Sequence, residues 1–143
     1  MDISSVFKTS TVNDCRVLKL PKFATSAGHI TAINNQVEIP FNTKRVYYLY
    51  DLPSGETRGG HAHFNLQQLI VAAMGSFDVV LHDGQNERRI TLNQPNQGLL
   101  IVSGIWRELE NFSAGSILLV LASEKYDEDD YIRDYNQFKQ YNK

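Results

Sequence analysis

His61 and His63 are the residues whose types and spacing point most directly to chemistry. They follow a glycine pair and precede an apolar run in the stretch from 58 to 68, which is RGGHAHFNLQQ. Side chains alternate between two faces in an extended strand, so the two imidazoles would point to one side with room for a ligand between them. The spacing alone equally fits two solvent-facing histidines or a hydrogen-bonded pair at a strand end.

The size and charge of the chain narrow the protein class before any motif is interpreted. A chain of 143 residues is long enough to bury about 70% of its unfolded surface, and a single domain over residues 1–143 is predicted. The 14 basic and 16 acidic residues nearly cancel. There is therefore no strong positive field of the kind that marks a nucleic-acid-binding protein.

Cysteine usage and hydrophobicity bear on location. Cys15 is the only cysteine, which excludes an internal disulfide and a cysteine-based zinc site and indicates a reducing compartment. The N-terminus lacks a basic segment followed by an apolar core. The longest apolar run, residues 117–122, is far shorter than the ~20 residues of a membrane helix. We expect a cytoplasmic protein without membrane contacts.

The elements that must position the histidines are short β-strands. Residues 1–29 are expected to form an irregular arm with one or two short strands. From Ile30 onward, runs rich in β-branched and aromatic residues alternate with turn residues and predict roughly ten strands, among them residues 30–33. Asp83-Gly84 between two such runs indicates a hairpin. The pattern is typical of an all-β sandwich or barrel.

Only the C-terminal end has a helical pattern. Tyr131, Ile132, Tyr135 and Phe138 recur at helical spacing, with acidic residues before them and lysines after them, as the helix dipole favours. A short C-terminal helix is predicted there.

The spacing around the histidines resembles the first signature of the cupin barrel. Gly55, His61, His63, Gln68 and Gly75 stand at the intervals of that signature. The resemblance implies a jelly-roll fold, that is, a double-stranded β-helix. The family's metal-binding glutamate position, however, is occupied by Gln68.

The second cupin signature can be traced from Gly104 to Asn111, with Arg107 in place of the metal-binding histidine. Together with Gln68, this exchange removes an anionic ligand and adds a permanent cation that would repel a divalent metal. We therefore expect no metal and interpret the pocket as an organic acid–base site. A metal-dependent cupin enzyme is the less favoured alternative.

Longer segments resemble one family in particular, the nucleotide-sugar 3,4-ketoisomerases. They are RVYYLYDLPSGETRGGHAHFNLQQ, GIWRELENFS and SEKYDEDDYIRDY, and the similarity extends from about residue 17 to the C-terminus. The resemblance implies an isomerase that needs no cofactor and moves the ketone of dTDP-4-keto-6-deoxyglucose from C4 to C3. It also implies a role in making dTDP-3-amino-3,6-dideoxyhexoses for lipopolysaccharide or S-layer glycans, and a homodimer in which the N-terminal strands of residues 1–29 are exchanged.

The reaction requires removal of the C3 proton, an enediol or enediolate, and return of a proton to C4. Histidine has a pKa suited to both steps. The resemblance implies that His61 is the base, that His63 orients it or supports proton movement, and that Tyr47 passes a proton between the two oxygens. A phenol can do so because it both donates and accepts. A half-buried strand aromatic is an equally good interpretation of Tyr47.

Four further residues are candidates for substrate binding. Arg107, Arg58 and Arg45 could hold the diphosphate or the enediolate, because a guanidinium offers paired donors to oxyanions. Gln68 could bind a substrate hydroxyl or fix an imidazole.

One departure from the family pattern favours an alternative function. Many members carry Asp-Arg-Gly near the N-terminus, where this chain has TSAGH at residues 25–29. The alternative is a cupin that binds a nucleotide sugar without turning it over. The stereochemistry of the product at C4 stays open for the same reason.

Overall fold

The computed structural model describes residues 10–141 and consists of short strands with one helix near the C-terminus. The strands are β1 (Arg16–Lys19), β2 (Phe23–Thr25), β3 (Gly28–Ile30), β4 (Arg45–Leu49), β5 (Arg58–His63), β6 (Gln68–Met74), β7 (Phe77–His82), β8 (Glu87–Leu92), β9 (Gln97–Ile101), β10 (Trp106–Glu110), β11 (Ile117–Ala122) and β12 (Tyr131–Ile132). The helix α1 spans Tyr135–Tyr141. The predicted all-β class and the C-terminal helix are confirmed.

Ten of the strands form two five-stranded antiparallel sheets. The first has the order β1-β9-β6-β11-β4, and the second has the order β12-β5-β10-β7-β8. Inward side chains of both sheets meet in one apolar core, to which β6 contributes Ile70, β11 contributes Leu118 and β7 contributes Phe77. The predicted jelly-roll architecture agrees with these two packed sheets.

The outer faces of the two sheets are covered by different parts of the chain. Ile39 and Phe41, in the connection before β4, pack on outward residues of the first sheet such as Leu121. The second sheet is covered by α1, whose Phe138 packs against Trp106. Both covers are apolar contacts, which hold these segments in place.

The hairpin formed by β2 and β3 stands apart from the two sheets. Its strands pair only with each other, and all six of their residues are exposed. Phe23 is 59% exposed and Ile30 is 62% exposed. The hairpin therefore presents two large apolar side chains at the surface. The part of the expected arm before residue 10 lies outside the described residues.

Two details of the predicted elements were wrong, and one was right. The strand expected at residues 30–33 ends at Ile30, because β3 is a short hairpin strand. Tyr131 and Ile132 do not begin the helix: they pair with His63 and Ala62 as strand β12. The hairpin at Asp83-Gly84 is confirmed, since it joins β7 to β8.

Within residues 10–141, no helix has the length and apolar character needed to span a bilayer.

Candidate active site

A group of polar side chains lies at one end of the space between the two sheets. Tyr47 comes from β4, His61 and His63 from β5, Gln68 from β6 and Arg107 from β10. Alternation along each strand turns these residues inward, as the sequence pattern predicted for the histidines. Ala62, between the two histidines, faces the other side and packs against Trp106 and Phe138 under the helix.

A β-bulge at the glycine pair sets the position of His61. His61 pairs with Arg107 and Gly59 pairs with Glu108, so Gly60 is the extra residue between them. Gly59 and Gly60 have φ values of +97° and +74°, a region that residues with a Cβ rarely occupy. A Cβ on Gly59 would also lie 3.2 Å from the carbonyl oxygen of Arg107. The glycines thus allow β5 to approach β10 closely and place His61 opposite Arg107.

Arg107, Gln68 and Tyr47 form a chain of hydrogen bonds across the interior. Arg107 Nη1 donates to Gln68 Oε1 at 2.5 Å, and Gln68 Nε2 donates to the Tyr47 hydroxyl at 3.0 Å. Arg107 Nε and Nη2 both donate to the carbonyl oxygen of Ile105. These hydrogen bonds fix the three side chains relative to one another. The Arg107 guanidinium donates through three nitrogens, and the Gln68 amide both accepts and donates.

Arg107 is a cation in the protein interior. Its side chain is 1% exposed, and its hydrogen bonds go to uncharged acceptors. Burial lowers its pKa to about 10, so the guanidinium is still charged at neutral pH. A buried charge without an ionic partner is costly, and an anion entering the site would relieve that cost.

The two imidazoles are neutral in this environment. Burial, followed by the charge of Arg107, lowers the pKa of His61 to about 2. Burial also lowers the pKa of His63 to about 4, although its hydrogen bond with Asp130 opposes that shift. The rings lie edge to face with centroids 4.9 Å apart, and Tyr131 contacts both of them. Both imidazoles in the site are therefore neutral, each with one N–H, at neutral pH.

Tyr47 is held in its protonated form. Burial raises the pKa of its phenol above the ordinary value, against the opposing effects of Arg107 and Gln68. The guanidinium of Arg45 lies over the Tyr47 ring at 4.5 Å and over the Tyr126 ring at 5.2 Å. The phenol can thus donate its proton inside the site, with a cation behind its ring.

A second arginine lies near the histidines. Arg133 stacks over the Tyr131 ring at 4.2 Å and makes two hydrogen bonds to Glu128. Its charge also lowers the pKa of both imidazoles, but by less than burial and Arg107 do. Half of its side chain is exposed, as its relative accessibility of 53% shows. Arg45 and Arg133 are therefore two stacked cations, each placed on a tyrosine that borders the site.

Comparison with known proteins identifies the family. Residues 13–143 match the family model described as FdtA: WxcM-like, C-terminal. The chain belongs to this family.

Relatives of the FdtA, WxcM-like family agree with the match in both sequence and structure. A TDP-4-oxo-6-deoxy-α-D-glucose-3,4-oxoisomerase of Aneurinibacillus thermoaerophilus is 44% identical over 126 residues, which are 88% of this chain and 91% of that protein. The crystal structure of a 3,4-ketoisomerase from Helicobacter canadensis is 46% identical, with a TM-score of 0.87 over 89% of this chain and 96% of the other. QdtA from Thermoanaerobacterium thermosaccharolyticum, solved in complex with TDP, is 40% identical, with a TM-score of 0.88 over 90% and 94%.

The structure brings together five of the seven residues that the sequence singled out in this family member. Tyr47, His61, His63, Gln68 and Arg107 share one interior site. The sixth, Arg45, borders the site through its contact with Tyr47.

Arg58 is the exception. Its backbone pairs with Leu109, beyond the bulge from His61, and its side chain is exposed. Nearness in sequence to the histidines was a poor guide here, because the bulge changes the course of β5 between Arg58 and His61.

Three residues of the site were missed by sequence reasoning. The sequence predicts that Asp130 precedes a helix and that Tyr131 begins it, whereas Asp130 binds His63 and Tyr131 contacts both imidazoles. Arg133 is not among the predicted site residues. Only the pairing of β12 with β5 brings these residues to the histidines, and a two-residue strand leaves no usable sequence pattern.

In the part of the chain that the structure describes, no three His, Cys, Asp or Glu side chains are grouped so that they could hold a metal ion.

Proposed function

We propose that this protein is a nucleotide-sugar 3,4-ketoisomerase that converts TDP-4-keto-6-deoxyglucose to a TDP-linked 3-keto-6-deoxyhexose. The observation that carries the proposal is 44% identity, over nine-tenths of the chain, to an enzyme named for this oxoisomerisation. A variant of the Thermoanaerobacterium enzyme has been solved in complex with TDP-4-keto-6-deoxyglucose. The site described above contains the groups that such a reaction needs.

His61 is the proposed base. Its imidazole is neutral, because burial and the neighbouring Arg107 lower its pKa to about 2. In the free enzyme this value makes it a weak base. The enediolate that develops next to it is negatively charged and favours the imidazolium form, so basicity rises as the C3 proton is transferred. The same imidazolium can then return a proton at C4, and His63 supports this exchange from the adjacent ring.

Arg107 is the proposed partner of the developing negative charge. It is buried, charged and opposite His61 in the register of β5 and β10. A preorganised cation in a water-poor site stabilises an oxyanion more strongly than the same cation in solvent. One interaction between Arg107 and the enediolate would therefore stabilise the intermediate. It would also compensate the energetic cost of burying the guanidinium without an ionic partner.

Tyr47 is the proposed carrier of the proton between the two oxygens. As the ketone moves from C4 to C3, one oxygen must gain a proton and its neighbour must lose one. The phenol of Tyr47 can donate to the first and accept from the second, while Gln68 keeps it in place through the hydrogen bond at 3.0 Å.

The diphosphate is assigned to arginines outside the buried group. Arg45 lies at the border of the site and has one guanidinium nitrogen that is buried and without a hydrogen-bond partner, so it has donor capacity to offer. Arg58 is exposed and is proposed only as an outer contact for the diphosphate. Phosphate oxygens are preferred partners of guanidinium groups because both present paired sites.

The same proposal includes a homodimer with exchanged N-terminal strands. The hairpin of β2 and β3 exposes Phe23 and Ile30, and the edge strand β4 exposes Val46 and Tyr48 on the outer face of the first sheet. A partner's hairpin packed on that face would cover both apolar surfaces. Light scattering tests this part, since a monomer at micromolar concentration would contradict it.

The biological setting is also a proposal. Synthesis of 3-amino-3,6-dideoxy sugars for lipopolysaccharide or S-layer glycans requires a 3-keto sugar as precursor, and the enzyme would work in the cytoplasm. A reducing location agrees with the single, unpaired cysteine.

The test is incubation with TDP-4-keto-6-deoxyglucose in deuterated buffer, followed by NMR. The expected result is a 3-keto product that carries solvent deuterium. Stabilisation of the protein by TDP with no product and no deuterium in the sugar would instead identify a nucleotide-sugar-binding protein. The second outcome is a real alternative because residues 25–29 lack the Asp-Arg-Gly segment of many relatives.

A further inference from the structure

Asp130 is connected to the site in a way that the reaction outlined above does not use. Its Oδ2 lies 3.2 Å from Nδ1 of His63, and it also accepts the backbone N–H of Leu66 at 3.1 Å. Its Oδ1 accepts the backbone N–H of Asn65 at 2.8 Å. Both oxygens are therefore fixed by the turn that follows β5, and the carboxylate has a set orientation toward the imidazole.

This contact determines which nitrogen of His63 carries the proton. Burial alone would raise the pKa of Asp130, but the hydrogen bonds from His63, Asn65 and Leu66 bring it below the ordinary value, so the group is a carboxylate. A carboxylate only accepts hydrogen bonds. A neutral imidazole has one N–H, so His63 must place it on Nδ1, and Nε2 is left with a lone pair.

The lone pair of Nε2 has no partner in the structure. His63 is 0% exposed, and its Nε2 is a buried polar atom without a hydrogen bond. The ring lies edge to face with His61 and 4.3 Å from the Tyr131 ring. Leaving a buried acceptor unsatisfied is energetically costly, and a donor that enters beside His61 would remove that cost.

We propose that Asp130 is a positioning residue that acts through His63, holding Nε2 ready to accept a hydrogen bond from a hydroxyl group of the bound sugar. The inference rests on the proposed function, because it requires a sugar in the site. It adds a task to the support that His63 gives to proton exchange: His61 exchanges protons with carbon, and His63 with Asp130 also recognises oxygen. Asp130 itself does not touch the substrate.

A double-mutant cycle tests whether Asp130 acts through His63. Asp130→Asn offers one oxygen to three donors and should lower kcat/KM by about 100-fold, within the range of coupling between residues in contact. In the background of His63→Gln, which no longer needs an oriented imidazole, Asp130→Asn should cost only about twofold. A purely structural role would give equal losses in both backgrounds, and that outcome would overturn the proposal.

Two further measurements do not depend on turnover. Nitrogen-15 NMR of the wild-type histidine rings should show His63 protonated at Nδ1, and a ring protonated at Nε2 would contradict the proposal even if no variant folded. Binding of TDP and of TDP-4-keto-6-deoxyglucose should be compared as a ratio of dissociation constants. Asp130→Asn should reduce the advantage of the sugar nucleotide and leave TDP binding unchanged.

Asp127→Asn is the matched control. Asp127 is an exposed acid three residues before Asp130, and its side chain accepts the backbone N–H of Asp129. Its replacement therefore changes the charge equally without reaching His63. It should leave both the ratio of dissociation constants and kcat/KM unchanged. If wild-type protein forms no 3-keto product while the ratio still depends on Asp130, the proposed isomerase activity fails and the role of Asp130 in sugar recognition stands.

Discussion

The two ends of the interior between the sheets differ in composition although the same strands build both. On β6, Gln68 lies at one end, and Ile70 and Ala72 lie toward the other. On β10, Arg107 is followed two residues later by the inward Leu109. Burial of the apolar end stabilises the folded state, whereas the polar end holds a buried cation and two neutral imidazoles, which destabilise it. One end of the barrel stabilises the fold, and the other is prepared for a ligand at the expense of stability.

The largest expected effect removes the proposed base from the polar end. His61→Asn should reduce turnover of TDP-4-keto-6-deoxyglucose by about 10⁴-fold, the upper range for loss of a general base. The thermal unfolding temperature and its increase on adding TDP should be preserved, because His61 is not needed for folding or for contacts with the nucleotide. Product formation is measured by NMR. Turnover near the wild-type rate would contradict the assignment of His61.

Next is a cavity at the apolar end. Phe77 is fully buried and its ring lies 6.0 Å from that of Phe112. Phe77→Ala should lower the free energy of unfolding by about 3–5 kcal/mol, while the folded fraction keeps its activity. Urea denaturation gives the first quantity and kinetics below the transition gives the second. Val37→Ala, at a residue that is 72% exposed, is the control and should change neither.

Acid should lower the free energy of unfolding because the polar end keeps two histidines neutral. The pKa values of His61 and His63 are lowered to about 2 and about 4, so below pH 6.5 the unfolded chain binds protons that the folded chain does not. The free energy of unfolding should therefore fall as pH drops from 6.5 toward 4, with a slope that approaches about 2.7 kcal/mol per pH unit for the two groups. Denaturation in urea between pH 7.5 and 4.5 measures it.

A variant separates this effect from general acid sensitivity. His61→Asn removes one of the two histidines, so its slope over the same pH range should be about half that of the wild type. Equal slopes would show that the loss of stability arises elsewhere.

The smallest effect concerns the hydroxyl of Tyr47. Tyr47→Phe should lower turnover by about 100-fold, because no phenol is left to exchange protons with the two oxygens. It should also cost about 1 kcal/mol of stability, since Gln68 Nε2 loses its acceptor. Tyr48→Phe is the matched control on the opposite face of the same strand, where the side chain is 60% exposed, and it should leave turnover unchanged.

The sequence predicted the parts of this molecule that depend on short-range patterns. Alternation on the strand predicted that His61 and His63 share one face, and the cupin spacing placed Gln68 and Arg107 in the same site. The hydrogen bonds of Gln68 to Arg107 and Tyr47 were not predicted. The all-β class and the family were also predicted.

The parts that failed depend on contacts between distant segments. Asp130 and Tyr131 reach the histidines through a two-residue strand, and their spacing from Tyr135 imitates a helix. Arg58 lies beyond the bulge from His61 and outside the buried group, so its role in substrate binding stays a prediction. A pattern of period 3.6 or 2 describes one segment and cannot specify its neighbour across a sheet.

The glycine pair before His61 also determines how the chain can vary in length. Gly59-Gly60 looks like a flexible connection that could gain or lose a residue, yet Gly60 is the extra residue of the bulge in β5. Removal of Gly60 would keep Gly59 opposite Glu108 and His61 opposite Arg107, but it would abolish the bulge and with it the local bend of β5. A residue gained or lost between His61 and His63 would instead turn one imidazole toward the helix, because side chains alternate along β5. Relatives that keep the histidines should therefore tolerate insertions in the loop before Arg58 far better than between Arg58 and His63.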